Sequence, residues 1–345
     1  MTQQKVAIIG AGPAGLQSAI SLAEMGFLVQ LFEKEKQPGG HLAHWHVLFP
    51  DRQPANEVLD ALMISAMNPN ISLITGAEIS AIEPSGRKWQ LKKAETLICE
   101  VDAVLLASGF KLFDAAQKEE YGYGIYPAVV TSSELEALFM HQKPWPFNEN
   151  LESPKIGLVH CVGSRDAKCG NLYCSKVCCV TAVKQAIELK KTFPAAQVYS
   201  FYMDMRMFGL GYEELYHQAQ MEYRVQFIRG RLSEASPADG QRIQVKAEDT
   251  LMGRPLKLTL DMLVLMVGMT PSVVLGNGSA SVELKKPMFA DGFVKMPGQA
   301  LDDSRLQKPG LFVAGACKGP VTLPDVVKDA KATALDICNY LTEVL

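Results

Sequence analysis

Five of the eight cysteines fall between Cys161 and Cys179, in C-V-G-S-R-D-A-K-C-G-N-L-Y-C-S-K-V-C-C. Thiolates act as nucleophiles, redox partners and soft metal ligands, and their spacing selects among these chemistries. Cys174 and Cys178 are one helical turn apart and share a side of any helix that forms there. Cys179 lies about a quarter-turn further round. Cys161 arrives from the end of K-I-G-L-V-H, which reads as a short buried strand. Four thiolates gathered by a loop and an adjoining helix end suit an iron–sulfur cluster. Zinc is the runner-up, although C-x3-C-C lacks the paired short spacings of common zinc modules. Inert buried thiols are the bland alternative. The sequence has no C-x-x-C for a redox dithiol, and disulfides are disfavoured in a cytosolic protein.

A second constellation opens the chain. The β-rich run Lys5 to Ile9 enters G-x-G-x-x-G at Gly10, Gly12 and Gly15, and an apolar helix begins at Pro13 and Ala14. The first glycine permits a tight turn, the second admits a pyrophosphate to the backbone, and the third lets helix and strand pack closely. The next strand, F-L-V-Q-L-F-E, ends in Glu33, an acid placed to accept ribose hydroxyls. A lone glycine motif is weak; strand, glycines, helix, strand and acid together specify a dinucleotide. Pro38, Gly39 and Gly40 then resemble the P-G-G segment of two-dinucleotide-binding flavoproteins, which implies FAD rather than NAD. His41, His44 and His46 are read as a polar loop beside the flavin or at the surface, not as a metal site.

Elements must position these residues. A chain of 345 residues exceeds one typical core, so two lobes are expected. With 48% hydrophobic and 21% charged residues and a well-mixed net charge of −3, it is ordinary globular material with no basic block for nucleic acid or an anionic membrane. No signal-peptide pattern precedes the first strand. The most apolar run, Met262 to Leu275, is broken by Gly268 and Pro271 and is too short to span a bilayer, so a cytoplasmic location is expected. Helices are expected over Val58 to Met67, near Ser133 to Met140, after Cys178, near Tyr212 to Tyr223 and from about Pro324. In the one after Cys178, Val183, Ala186 and Ile187 form the apolar stripe, with Lys184, Glu188 and Lys191 off it. Asn70 to Lys93 reads as a β-meander, and residues 111–154 as a connector or cover.

A weak repeat organises the whole. Asp102 to Phe110 (D-A-V-L-L-A-S-G-F) matches Asp261 to Met269 (D-M-L-V-L-M-V-G-M), and K-V-A-I-I-G matches K-I-G-L-V-H. The second lobe is therefore read as a duplicate inserted into the first: 1–150 for the FAD lobe with connector, 151–274 for the insert, and 275–345 for the return. The fold class is α/β, a two-dinucleotide-binding-domain flavoprotein of the thioredoxin-reductase-like kind. In the insert, cysteines stand in the pyrophosphate's place. Asp204 is read as a strand-end residue rather than a ribose acid, so tight NADH binding is not expected.

C-V-G-S-R-D-(x7)-C-S-K-V-C-C, F-Y-M-D-M-R-M-F-G-L-G-Y-E-E-L-Y and V-A-G-A-C-K-G-P-x3-P-D together resemble the A-type subunit of heterodisulfide reductase, over nearly the whole chain. The resemblance implies one [4Fe–4S] cluster on Cys161, Cys174, Cys178 and Cys179, with Cys169 a spare thiol. It implies FAD on Gly10, Gly12, Pro13, Ala14, Gly15, Glu33, Lys34, Gly39, Gly40, His41, Leu42, Ile79, Ser108, Gly109, Gly315, Ala316 and Leu323. Related flavoproteins often carry Gly-Asp where this chain has Gly315-Ala316, which puts the ribityl hydrogen bond in question. Methanogen members carry an extra N-terminal cluster region and ferredoxin-type C-x2-C-x2-C-x3-C segments that this sequence lacks. It resembles the short form found in heterodisulfide-reductase-like complexes of sulfur-oxidising prokaryotes. The implied role is electron relay between FAD, the cluster and B- and C-type partner subunits, as a homodimer and without flavin bifurcation. The alternatives are a stand-alone NAD(P)H-dependent disulfide reductase and a zinc-stapled flavoprotein scaffold. Cys99 and Cys317 are read as structural.

Overall fold

The computed structural model describes residues 3–272, 292–294, 304–306 and 308–343. Two compact units divide the chain: Met1–Ala43, Ala55–Lys111 and Thr270–Leu345 form one, and His44–Pro54 with Leu112–Met269 the other. The first unit is built on a five-stranded parallel sheet. Its order is Leu311–Val313, Ala103–Leu106, Lys5–Ile9, Leu28–Phe32 and Ile71–Ile74. Runs such as A-V-L-L are apolar at every position because both faces of the sheet are covered. On one face the helices Pro13–Glu24, Ala55–Ser65 and Leu323–Glu343 bring Leu16, Leu22, Leu62 and Ile337 onto Val6, Ile8 and Leu105. On the other, the antiparallel strands Ala81–Ser85, Lys88–Lys93 and Thr96–Val101 contribute Ile82, Trp89, Leu91 and Val101. The expected meander over 70–93 is thus divided. Ile71–Ile74 leaves it to pair in parallel with Leu28–Phe32, because Ile71 and Leu73 find burial on the helical face.

The second unit repeats this plan. Its parallel sheet runs Gln226–Arg229, Gln197–Tyr202, Lys155–Val162, Met262–Val267 and Val129–Thr131. The helices Ser132–Phe139, Cys178–Thr192 and Tyr212–Met221 cover one face, and the antiparallel strands Leu232–Pro237, Ile243–Asp249 and Arg254–Leu260 cover the other. The segment 111–154, expected as a connector or cover with a helix near Ser133 to Met140, also supplies the edge strand Val129–Thr131, and its helix is opened by a Thr131–Glu134 capping box. Another expectation is corrected in the helix Cys178–Thr192. Helical periodicity puts Lys184 and Glu188 on its outer side, yet they are only 3% and 8% exposed. Lys184 is tolerated inside because Glu136 is buried beside it and the Val47 carbonyl accepts a further hydrogen bond at 3.1 Å. Glu136 also accepts the His46 N–H at 2.9 Å, which ties residues 44–54 to this unit.

The duplication holds to the level of single hydrogen bonds. The Lys5 N–H donates to Asp102 Oδ2 at 2.8 Å, and the Asp102 N–H returns to the Lys5 carbonyl at 2.9 Å. The Lys155 N–H donates to Asp261 Oδ2 at 2.8 Å, and the Asp261 N–H returns to the Lys155 carbonyl at 2.8 Å. Each aspartate clasps the start of the central strand and fixes its register, with Val6 opposite Ala103 and Ile156 opposite Met262. No helix among the described residues is long and apolar enough to cross a membrane. Asp102→Ala and Asp261→Ala should each cost about 1 kcal/mol, read as a lower denaturant midpoint at unchanged m-value.

Candidate functional site

In the first unit the strand Lys5–Ile9 ends at Gly10, φ +103°, where a Cβ would stand 2.4 Å from the Ala107 carbonyl oxygen. Gly15 is tighter still, its Cβ falling 1.8 Å from the Gly10 oxygen. The turn itself requires these two glycines. Gly12 is different: a Cβ there meets nothing nearer than the Gly40 Cα at 4.0 Å, so its missing side chain leaves open space. Gly39 donates its N–H to the Ala11 carbonyl at 2.8 Å and lays the P-G-G segment along that space. The helix Pro13–Glu24 has Gly12 as N-cap with no side-chain cap, which leaves first-turn amides such as those of Ala14 and Gly15 available to an anion. Glu33, 6% exposed, accepts the Ala11 N–H at 2.8 Å on one oxygen and the Glu35 N–H at 3.0 Å on the other. Each oxygen retains a lone pair for a ribose hydroxyl. The Ala77 N–H donates to the Glu33 carbonyl at 2.8 Å, which brings half-buried Ile79 along the same edge.

The remaining expected contacts come from the ends of other strands of the same sheet. Ser108 and Gly109 follow Ala103–Leu106, and their carbonyls accept the Ser272 hydroxyl at 3.0 and 2.7 Å. Gly315, φ +81°, has room for no Cβ beside Ala14, and Ala316 behind it is buried. The Gly315 N–H donates at 2.7 Å to Asp329, whose other oxygen lies 2.6 Å from Lys318 Nζ. His41 stacks on Phe110 at 4.2 Å and Leu42 is buried, whereas Lys34 is exposed beside Glu35. His46 stacks on Phe139, and Leu323 opens the last helix. Ser272 and Asp329 carry no sequence signature; the fold alone brings them to the glycines. A cradle that a Cβ at Gly12 would fill, bare helix amides and a buried acid fit a dinucleotide such as FAD.

In the second unit the strand Lys155–Val162 shifts register after Val159, and Cys161 takes left-handed backbone, φ +60°. The chain then doubles back as a small hairpin. The Arg165 N–H donates to the Tyr173 carbonyl at 2.9 Å, and Asp166 and Asn171 exchange hydrogen bonds at 2.8 and 3.1 Å. Ser164 and Ser175, both fully buried, hydrogen-bond to each other across its base, and Ser175 accepts the Met269 N–H at 2.9 Å. The fold-back returns Cys174 towards Cys161 and carries Cys169 to the tip. The helix Cys178–Thr192 starts without a side-chain cap, so Cys178 and Cys179 sit where the helix dipole favours a thiolate.

The four thiols act on one another. Burial pushes Cys161 up to about 12, the charges of Cys179 and Cys174 add to this, and Arg165 and Arg206 oppose it. Burial also raises Cys178, with Cys161, Cys179 and Cys174 behind it. Cys179 is raised by burial and partly relieved by a hydrogen bond from the Arg206 backbone. Buried thiols that would repel one another as anions are relieved by a shared cationic centre. Among the described residues no three His, Cys, Asp or Glu side chains are posed around a single metal ion. The chemistry of the donor set, thiols flanked by two guanidinium groups, fits a sulfur-ligated cluster. Cys317 is fully buried, donates to the Ala314 carbonyl at 3.2 Å and is raised by burial to about 11, as befits a structural thiol.

Three ion pairs lock the cysteine hairpin. Arg165 lies 2.6 Å from Asp204, the residue expected at the strand end. Lys118, 3% exposed, lies 2.7 Å from Asp166 and 2.6 Å from Glu120, while Arg231 reaches Asp166 at 2.8 Å. Burial would raise the Asp166 carboxyl, but the hydrogen bonds from Lys118 and the Lys168 backbone, with the charges of Lys118 and Arg231, together outweigh it and hold the group below the usual range.

A profile of the pyridine nucleotide-disulphide oxidoreductase family matches residues 4–144. The A-type subunit of the H(2)/formate:CoB-CoM heterodisulfide,ferredoxin reductase of Methanococcus maripaludis is 33% identical, over 95% of this chain and 62% of its own length. The A-type iron-sulfur subunit of the CoB--CoM heterodisulfide reductase of Methanocaldococcus jannaschii is 31% identical, over 95% and 63%. The chain is a homologue of these heterodisulfide reductase subunits. It spans a little under two thirds of their length. Among solved structures, a thioredoxin reductase of Lactococcus lactis superposes with a TM-score of 0.69 at 17% identity, covering 99% of this chain and all of that one. The chain therefore has the two-domain α/β fold of thioredoxin-reductase-like flavoproteins.

Asp166 generates a pH prediction for the homologue. A depressed carboxyl stabilises the fold above its unfolded value, near 3.9, and that contribution is lost as pH falls through the folded value. Asp166→Asn should cost about 3 kcal/mol at neutral pH, because Lys118 is left buried with one partner fewer. It should also flatten the acid limb of a plot of Tm against pH.

Proposed function

We propose that the chain is the FAD- and [4Fe–4S]-carrying electron-transfer component of a heterodisulfide-reductase-like complex in cytoplasmic sulfur oxidation. One observation carries the reading. Two units share an aspartate-clasped frame residue for residue, yet thiols in the second replace the bare glycine turn of the first. When bound, FAD would supply two-electron exchange and the cluster one-electron exchange.

The chain's own residues bind, orient and shield. Gly12, Gly39, Gly40 and the first-turn amides of the helix Pro13–Glu24 would hold the pyrophosphate, and Glu33 the ribose. Gly109 and Gly315 let backbone run close to the ring system. Asp329 brings a carboxylate to the turn where Ala316 lacks one. Cys161, Cys174, Cys178 and Cys179 would each bind one iron, while Arg165 and Arg206 offset thiolate charge. Arg165 occupies the Asp204 carboxylate, which weakens the case for a nicotinamide ribose there and favours relay over an NAD(P)H-dependent reductase. The described site holds no paired acid and base on an exposed nucleophile, so disulfide or sulfur chemistry is assigned to B- and C-type partner subunits, with the chain itself as a homodimer.

Anaerobically purified protein should contain about one FAD, four iron and four sulfide per chain, with an EPR signal on reduction. Yellow protein containing zinc or no metal would overturn the cluster. Cys174→Ser should lose iron while retaining flavin. Gly12→Ala should leave the Tm of the FAD-free protein unchanged, since its Cβ meets no close neighbour, and should weaken FAD retention roughly tenfold or more.

A further inference from the structure

His160 stands immediately before Cys161, where the strand Lys155–Val162 shifts register. Alternation carries its side chain to the face that already holds Ile156 and Leu158, in the same packed cluster as Cys178 and Cys179 at the start of the covering helix. On the neighbouring strand Gln197–Tyr202, Ser200 stands opposite Leu158 and shares that face. The His160 ring is 7% exposed and Ser200 is fully buried. His160 Nε2 lies 2.7 Å from Ser200 Oγ, and the Tyr202 ring packs at 6.4 Å. His160 Nδ1 is buried with no hydrogen-bond partner among the described residues.

Hydrogen-bond balance selects the tautomer. Burial pushes the His160 imidazole down to about 4, so the ring is neutral and carries one N–H. With that hydrogen on Nε2, the Ser200 hydroxyl hydrogen and the Nδ1 lone pair would both be buried and unmatched. With Ser200 donating to Nε2, only the Nδ1–H is left over, a buried donor in need of an acceptor. The thiols show the complementary lack. Cys174 accepts the Lys176 N–H at 3.3 Å, and Cys179 takes a backbone hydrogen bond at Arg206. Buried Cys178 has its own backbone N–H alone among the described residues.

We infer that the His160 Nδ1–H donates to a sulfur of the cluster on the Cys178 side, held in that tautomer by the Ser200 hydroxyl. The role rests on the reading of the four thiols as cluster ligands. Each reduction adds one electron and makes the sulfurs more negative, while the hydrogen stays on Nδ1. A donor aimed at sulfur therefore favours the reduced state and raises the midpoint potential.

The test uses anaerobic holoprotein labelled with 15N at the histidine Nδ1 and reduced by dithionite. Pulsed EPR should show a 15N coupling in the wild type and none in His160→Leu at equal iron content. At a fixed potential the oxidised-to-reduced ratio of this variant should rise about tenfold, a midpoint lower by about 59 mV for one electron. His160→Asn, whose amide nitrogen stands where Nδ1 does, should lose the coupling and keep the wild-type midpoint. If His160→Leu loses iron, His160→Asn carries the comparison. Iron-loaded wild type without the coupling, or iron-loaded His160→Leu with an unchanged midpoint, would overturn the donor. Wild-type protein without iron would overturn the cluster reading and the donor together, so the two failures are distinguishable.

Discussion

The end of a parallel strand leaves backbone groups without a ladder partner, and each needs another hydrogen bond or a ligand. Everything at both sites follows from how the two central strands meet that demand. After Ile9 the chain meets it with glycines: the Ala11 N–H goes to Glu33, the Ala11 carbonyl takes the Gly39 N–H, and the first helical amides stay open. After Val162 it meets it with a hairpin, in which Asn171 satisfies the Gly163 carbonyl and Tyr173 takes the Arg165 N–H. The first solution leaves a hollow for an anion. The second gathers sulfur at the same place in the frame.

The hairpin and the segment 44–54 are both held by charges taken out of water. Lys118 with Asp166 and Lys184 with Glu136 are each almost fully buried pairs. Ion pairs of this kind return little net stability, because desolvation offsets much of the attraction. Their effect is selective: any other placement of the loop leaves a buried charge without a partner. Gln185 reinforces one pair through Glu136 and the Ser132 carbonyl, and Arg231 reinforces the other through Asp166. The cysteine hairpin is thus positioned from outside its own sequence. Such rigidity would suit the cluster ligands proposed above.

Several features of this arrangement were legible in the residues. Strand, glycines, helix and acid at Gly10 to Glu33 act through neighbours in the chain, so local pattern sufficed to place the cradle. The repeated aspartate before each V-L-L-like strand was visible as spacing, and its hydrogen bond to the opposite strand explains why the spacing recurs. Cys169 was set apart only by the resemblance, because it lies outside the C-V-G-S-R-D-(x7)-C-S-K-V-C-C motif; the fold places it at the hairpin tip. Other readings failed for a physical reason. Lys184 looked like an outward residue because helical periodicity assigns cations to water, and nothing local announces that Glu136 is buried opposite. Residues 111–154 looked like a connector or cover because an edge strand as short as Val129–Thr131 has too little pattern to register.

Composition and local order by themselves determined a two-lobed α/β chain, a glycine turn of dinucleotide-binding pattern at Gly10 to Gly15, and a concentration of thiols where a second such turn would fall. Tertiary structure alone decided that the chain between Cys161 and Cys174 folds back as a hairpin, that Asp329 and Ser272 reach the glycine crossings, and that Arg165 closes on Asp204. The difference is one of range. Periodicity and turn chemistry act over a few neighbouring residues, whereas buried ion pairs and returning strands are selected by desolvation and packing among groups far apart in the chain.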